Sequence, residues 1–313
     1  MRIIDGAEVK RKLTYERCIP LVREAMIAFS AGRTQQLLRS ILSLGEGRMF
    51  GVMPGGLGPD QPFGAKLLGV YPDSLATGRP SHQGVVVLFD PETGAPACIA
   101  DASEVTAIRT AAASAVATDA LARPEAHRLA LLGYGEQAVT HARAISRVRS
   151  LSGISVWGRS PERAAAFAGR MSDELGLPVT AASSAEAAVA DADIICTITA
   201  SAEPILEGRW VRPGTHVNLV GSSFAGPVEA DHDLVVRSRF IADSREGVLA
   251  QGAEFLRAKA AGLIDDSHVV AEIGEVLAGR VQGRQSADQI TVYKSLGHIV
   301  QDLAAVAALW REG

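Results

Sequence analysis

Two groups of residues have types and spacing suited to chemistry. In the stretch Leu129-Ala130-Leu131-Leu132-Gly133-Tyr134-Gly135-Glu136-Gln137-Ala138, a short apolar run meets a turn with two glycines and then a helical start. Gly133 permits a tight reversal, and Gly135 leaves the backbone N–H groups of a helix N-terminus open to a pyrophosphate. Ala138 fills the third place of the pattern G-x-G-x-x-A, where a small residue lets helix and strand pack closely. Two glycines beside a strand also mark ordinary turns, so the motif depends on its context. The next apolar run, Ile154-Ser155-Val156-Trp157, ends on Gly158-Arg159-Ser160, with Arg163 one turn later. A site for NAD usually carries an Asp or Glu there to hold the ribose 2′-OH. A guanidinium and a hydroxyl suit a 2′-phosphate instead. NADP(H) is therefore the expected cofactor and NAD(H) the other possibility; a solvated loop arginine is the plain alternative.

The second group is cationic. Lys66 stands among apolar neighbours, Arg39 follows Leu37-Leu38, and Arg109 interrupts a small-residue apolar segment. Single arginines are usually solvated or ion-paired, but three cations in apolar settings within one region suggest an anion pocket, because a buried charge needs a partner. A small carboxylate would supply it. His82, in Ser81-His82-Gln83-Gly84, could line the same pocket or be an ordinary loop histidine.

The elements that must position these residues fall into two patterns. Helical periodicity runs over 15–31, with Ile19, Val22, Met26 and Phe29 on one stripe. Residues 45–64 are punctuated by Gly and Pro and read as strands and loops. Residues 64–70 and 84–89 read as strands, and Asp90-Pro91-Glu92-Thr93-Gly94 as a hairpin turn. A helix follows over 105–121, whose many alanines imply close packing, and Ala122-Arg123-Pro124-Glu125 marks a boundary. Beyond it strands at 129–132, 154–157, 193–197, 216–220, 239–243 and 290–295 alternate with helices, including 136–148 and 161–175. That rhythm predicts a parallel sheet with helices on both faces. A last amphipathic helix over 296–310 is expected to return to the first domain. The fold class is thus α/β: a Rossmann-type, doubly wound dinucleotide domain at 117–295, and an α+β domain at 1–116 and 296–313. Ligands of open α/β sheets sit beyond the carboxyl ends of strands, so Thr197, Thr199, Val220 and Gly221 should line the nicotinamide half.

Composition bounds the alternatives. At 313 residues the chain can hold two domains, and its 47% hydrophobic and 21% charged content is that of a globular protein. The net charge of −4 offers no electrostatic case for nucleic acid or anionic membrane. Residues 1–5 hold no apolar signal core, and no apolar run approaches the roughly 18 residues of a membrane span, so a cytoplasmic protein is expected. Cys18, Cys98 and Cys196 are odd in number and widely spaced, as befits reduced thiols rather than a disulfide or zinc framework.

Taken together, these residues resemble the ornithine cyclodeaminase/mu-crystallin family. Thr106-Ala107-Ile108-Arg109-Thr110-Ala111-Ala112-Ala113-Ser114-Ala115 is very like the family signature. The likeness extends to Arg39, Gly64-Ala65-Lys66, Ser81-His82-Gln83-Gly84, the loop at 133–138, and Lys294-Ser295-Leu296-Gly297 with Gln301-Asp302-Leu303-Ala304. The resemblance implies a homodimer whose N-terminal domains pair through a sheet, with the active site between domains. It implies that Arg39, Lys66 and Arg109 hold an amino- or imino-acid carboxylate, that Lys66 serves catalysis, and that Thr110, Tyr134, Gln137 and Lys294 join the cofactor contacts.

One departure separates the family's activities. Cyclodeaminases and the family's alanine dehydrogenases carry roughly Gly-x-Asp-x-Pro-Gly-Lys-x-Glu after the fourth strand of the nucleotide domain. This chain reads Gly221-Ser222-Ser223-Phe224-Ala225-Gly226-Pro227-Val228-Glu229. Ser223 replaces an aspartate that can accept protons at neutral pH, and a hydroxyl without a neighbouring base cannot do so. A serine can hydrogen-bond an imine or position a water, as in the family's ketimine reductases. The expected activity is reduction of a cyclic ketimine carboxylate, Δ1-pyrroline-2-carboxylate or Δ1-piperideine-2-carboxylate. The alternatives are ornithine cyclodeamination or alanine-dehydrogenase-like chemistry, with Asp231 and Glu229 as nearby carboxylates, and a non-catalytic protein that binds NADPH and a ligand.

Overall fold

The computed structural model describes residues 1–71 and 82–312. They form two compact units, one of residues 1–110 and 298–313 and the other of residues 111–297.

The first unit begins with β1 (Arg2–Ile4), α1 (Gly6–Lys12), α2 (Tyr15–Ser30), β2 (Gln35–Gln36) and β3 (Ser40–Gly45). It continues with β4 (Arg48–Gly56), β5 (Phe63–Val70), β6 (His82–Phe89) and β7 (Pro96–Asp101), and α3 (Ala102–Leu121) then starts. The sheet order is β1-β7-β6-β5-β4-β2, with β3 also on β4. Every pairing is antiparallel except β1 on β7, a three-residue parallel edge too short to announce itself in sequence. The C-terminal helix (Ile299–Trp310) packs on α2 and on β4 to β7. Its apolar residues Val300, Leu303, Val306 and Leu309 are buried with Val22 and Met26 of α2 and Val86 and Leu88 of β6. That helix starts three residues later than its periodicity predicts. Gly297 takes φ +80°, and the N–H groups of Leu296 and Gly297 donate instead to Asp243 Oδ2 at 2.7 and 2.8 Å. The other helix of the boundary, α3, starts three residues early because Asp101 Oδ1 accepts from Glu104 N at 2.8 Å.

The second unit contains β8 (Arg128–Leu132), α4 (Glu136–Ile145), β9 (Gly153–Trp157), α5 (Pro161–Leu175), β10 (Val179–Ala181) and α6 (Ala185–Val189). Next come β11 (Ile194–Thr197), β12 (His216–Leu219), α7 (His232–Arg237), β13 (Arg239–Ala242), α8 (Arg245–Gln251) and α9 (Ala253–Ala260). The last members are β14 (Val269–Glu272), α10 (Ile273–Leu277) and β15 (Thr291–Lys294). All eight strands are parallel, in the order β10-β9-β8-β11-β12-β15-β13-β14. A parallel sheet must be buried on both faces, and alternate residues of each strand supply the two cores. Ala130, Leu132, Ile195, Val217 and Val292 belong to one, Leu129, Leu131, Ile154, Val156 and Cys196 to the other. From β8 the chain builds outward to β9 and β10 in one direction and to β11 and β12 in the other. The switch between β8 and β11 is where such sheets take ligands.

Among the described residues no helix is long and apolar enough to cross a membrane. Cys18, Cys98 and Cys196 are free and buried.

Candidate active site

Each unit carries one constellation. In the first, Lys66 on β5 and Arg109 on α3 are both 4% exposed and converge on Asp302 of the C-terminal helix. Lys66 Nζ and Arg109 Nε each lie 3.1 Å from Asp302 Oδ1, and Arg109 Nη1 donates to Gln301 Oε1 at 2.9 Å. Gln301 is itself held by a bond from Nε2 to Met26 Sδ at 3.3 Å. Asp302 Oδ2 is buried with no hydrogen-bond partner among the described residues. Burial pulls the Lys66 ammonium down to about 8; Asp302 opposes that fall, and the Arg109 and Arg39 charges add to it. Burial alone would raise the Asp302 carboxyl, but Arg109 and Lys66 outweigh it and hold the group below its usual range. Arg39, half-buried between β2 and β3, lies close enough for its charge to be felt at both Lys66 and His298. Among the described residues Lys66 and Arg109 both set their charge against Asp302, an arrangement that a small anionic ligand would complement. The His82 side chain lies outside the described residues.

In the second unit the loop after β8 is built as its glycines predict. Gly133 has φ +127° and donates to Trp157 O at 2.8 Å. Gly135 is the N-cap of α4 and offers no side-chain cap, and nothing lies within 4 Å of the position a Cβ would take there. The bare Gly135 thus leaves room beside the start of α4 for a pyrophosphate to approach. Tyr134 turns its ring over Gly158, where an added Cβ would fall 2.2 Å from Tyr134 Cε1. Its hydroxyl accepts from Ser160 N at 3.3 Å, and the Arg163 guanidinium stands 4.9 Å from the ring centroid. Ser160 caps α5, accepting from Arg163 N and donating to Glu162 Oε2 at 2.8 Å, so its hydroxyl already has work in the fold. Arg159 is exposed. Gln137 is half-buried on the first turn of α4 and Thr110 is buried on α3.

At the ends of β11 and β12, Thr197, Thr199 and Gly221 all turn to Glu229. Thr199 N and Oγ1 donate to Glu229 Oε1 at 2.6 and 2.7 Å; Thr197 Oγ1 and Gly221 N donate to Oε2, each at 2.7 Å. Burial raises the Glu229 carboxyl above its usual range, and these bonds together with the Lys294 charge offset only part of the rise. Val220 is buried beside them, and Ser223 is half-buried in the loop. Lys294 does not reach the surface. Its Nζ donates to Ser222 O at 2.6 Å and lies 2.7 Å from Glu254 Oε2, an ion pair rather than an aligned hydrogen bond. Glu254 Oε1 accepts from Glu229 N at 3.1 Å. With 0% exposure, Lys294 supports the Ser222 loop from behind.

Gln301 and Asp302 carried a sequence signal, an amide and an acid side by side in an otherwise apolar helix. Glu254 carried none, since its partners stand 25 and 40 positions away.

The sequence profile of the ornithine cyclodeaminase/mu-crystallin family matches residues 2–312. The chain belongs to that family. The ketimine reductase mu-crystallin of Mus musculus is 35% identical over 296 residues, covering 93% of this chain and 90% of the relative. The Δ1-pyrroline-2-carboxylate reductase of Bacillus cereus is 31% identical, covering 100% of this chain and 96% of its own. Among solved structures, the Thermococcus litoralis Δ1-pyrroline-2-carboxylate reductase in complex with NADH and L-proline matches with a TM-score of 0.96 at 31% identity, covering 100% of this chain and 97% of that one. The fold is thus shared with these relatives.

Proposed function

We propose that the chain is an NAD(P)H-dependent reductase of small cyclic ketimine carboxylates, converting Δ1-pyrroline-2-carboxylate or Δ1-piperideine-2-carboxylate to the cyclic amino acid. The observation that carries this reading is Ser223 in the aspartate position of the cyclodeaminases, together with the fate of the carboxylates near it. Glu229 has both oxygens filled by four donors. Asp231 caps α7, its Oδ1 accepting from Gly208 N and Leu234 N at 2.9 and 3.0 Å. Neither is placed to take a proton from an amine, so cyclodeamination and amino-acid dehydrogenation lose their base. The named activities of the relatives support the same choice.

Each unit supplies one part of the reaction. The bare face of Gly135 at the start of α4 fits a dinucleotide, and a bound reduced nicotinamide supplies a hydride to the imine carbon. Lys66 and Arg109, with Arg39, take the substrate carboxylate. Arg109 is held rigid by Gln301 and Asp302, so little side-chain freedom is lost when the ligand arrives. Lys66, with a value near 8, carries its proton at neutral pH and keeps the imine nitrogen in its protonated, more electrophilic form. The nitrogen retains that proton as the carbon gains hydride, which balances the reduction. Ser223 is assigned to hydrogen-bonding the imine or a water.

Arg159 in place of an acid at the end of β9 supports NADP(H) over NAD(H). The wholly exposed β3, with Ile41, Leu42 and Leu44 beside Leu37 and Phe50, supports a homodimer, because so many exposed apolar side chains on a sheet edge need covering. Oxidation of NADPH and NADH with each imine tests the function; no turnover with either imine would overturn it. A monomeric mass at micromolar concentration would remove the dimer.

A further inference from the structure

The four bonds to Glu229 have a consequence for charge. A carboxylate offers about four lone-pair sites, two on each oxygen. Here each oxygen receives two donors, and three of the four bonds involve groups at the ends of β11 and β12 that line the proposed nicotinamide half: Thr199 N, Thr199 Oγ1 and Gly221 N. Thr199 N and Gly221 N, one on each oxygen, are donors that cannot reverse and so favour the carboxylate against the pull of burial, whereas the threonine hydroxyls can serve either form. Directly behind it Glu254 pairs with Lys294. Glu229, Glu254 and Lys294 are all 1% exposed or less, so two carboxylates face one ammonium and one negative charge remains buried.

We propose that this buried charge, seated on Glu229 beneath Thr199 and Gly221, biases a bound nicotinamide toward its oxidised form and so strengthens it as a hydride donor. The proposal rests on the reductase reading above for the location of the ring. Giving up hydride turns a neutral dihydronicotinamide into a positively charged ring. A fixed negative charge in a low-dielectric setting stabilises that product and the transition state leading to it. Water screens an exposed carboxylate, but this one is wholly buried. Glu229 acts through Thr199 and Gly221, whose N–H groups it also fixes in place, and is a positioning residue rather than one that touches the reacting atoms. The direction of the bias matches imine reduction rather than amine oxidation.

The test compares the dissociation constants of the reduced and oxidised cofactor, by fluorescence and calorimetry, in the wild type, Glu229→Gln and Glu254→Gln. Either substitution removes the excess charge, and Glu254→Gln leaves the four bonds to Glu229 in place. Each should raise the ratio of oxidised to reduced dissociation constant about tenfold. For a two-electron couple this is a rise of about 30 mV in the potential of the bound pair. A purely architectural role would weaken both forms alike, and an unchanged ratio in both variants overturns the proposal. Should Glu229→Gln fail to fold, the ratio in Glu254→Gln decides alone. A wild type that binds neither form of either cofactor would overturn the reductase reading as well, whereas binding with an unchanged ratio overturns this inference only.

Discussion

Lys66 Nζ lies 3.1 Å from Asp302 Oδ1, both side chains almost wholly out of water, with Arg109 sharing the same oxygen. Burial alone would strip the lysine of its proton at lower pH, and the aspartate limits the fall to about 8. The sign for activity follows. Below about 8 Lys66 is charged, holds the substrate carboxylate and keeps the imine protonated; as pH rises through that value both contributions fade. The expected kcat/KM for imine reduction is flat near neutrality and falls on the alkaline side with an apparent value near 8. Lys66→Met should lower kcat/KM by about 100-fold or more and abolish that alkaline limb. A limb that survives the substitution would assign the titration to another group.

Asp302→Asn tests the other partner. The substitution leaves Lys66 and Arg109 as two buried cations without a counter-ion, a situation that typically costs about 3–5 kcal/mol. Denaturant titration should show a loss of that order. If the variant folds, the alkaline limb should move to lower pH, because the attraction that supports the Lys66 proton is gone. An unchanged limb would show that Asp302 does not set the protonation of Lys66.

The division of the chain into an antiparallel sheet and a parallel one was legible because the two halves differ in rhythm. The last helix was legible as an amphipathic segment, although its true start depends on Asp243 holding Leu296 and Gly297, residues more than fifty positions away. The short strands β1, β10 and β14 escaped because three or four residues carry no period and are fixed by their neighbours. At the site, Lys66 and Arg109 stood out as charges among apolar residues. Asp302 shared that signal, but the partner it neutralises is a tertiary fact. Lys294 shows the limit most plainly: its pairing with Glu254, forty positions away, leaves no trace in the local sequence.

Two glycines of the nucleotide loop should fail in different ways. Gly135 has nothing within 4 Å of its Cβ position, so Gly135→Val should fold and melt much like the wild type while obstructing the pyrophosphate and weakening cofactor binding about tenfold or more. Gly158 lies under Tyr134, and the 2.2 Å approach of an added Cβ would push the ring away. Gly158→Ala should therefore lose about 1–3 kcal/mol of stability by overpacking. Equal stability losses in the two variants would contradict this account, which thermal melts and cofactor titrations can check together.

Acid should destabilise the fold through two buried histidines. Burial drives His141 down to about 4, although Gln137 O supports its proton, and burial drives His216 down to about 3. In the unfolded chain both titrate near the ordinary histidine value of 6.5. The unfolded state therefore binds more protons as pH falls below that value, and stability declines until the folded-state values are reached. At pH 5 each histidine should cost about 2 kcal/mol relative to neutral pH. His141→Gln should be less stable at pH 7 yet show a shallower decline toward pH 5. An equally steep decline would assign the acid sensitivity to other groups.

The cofactor preference depends on Arg159. The Ser160 hydroxyl caps α5 and bonds Glu162, and Arg163 stands against the Tyr134 ring. Arg159 is exposed just past the end of β9, in the place where an NAD site usually carries an acid. A charge-assisted contact between a guanidinium and a phosphate contributes roughly 1.5–3 kcal/mol. NADPH should therefore bind about one to two orders of magnitude more tightly than NADH. Arg159→Ala should erase most of that difference while leaving NADH affinity nearly unchanged, and Ser160→Ala should act on the stability of α5 more than on cofactor choice. Because the contact is exposed, the preference should also shrink as salt is raised. Calorimetric titration of the two cofactors at low and high salt reads all of these effects, and equal affinities in the wild type would return the assignment to NAD(H).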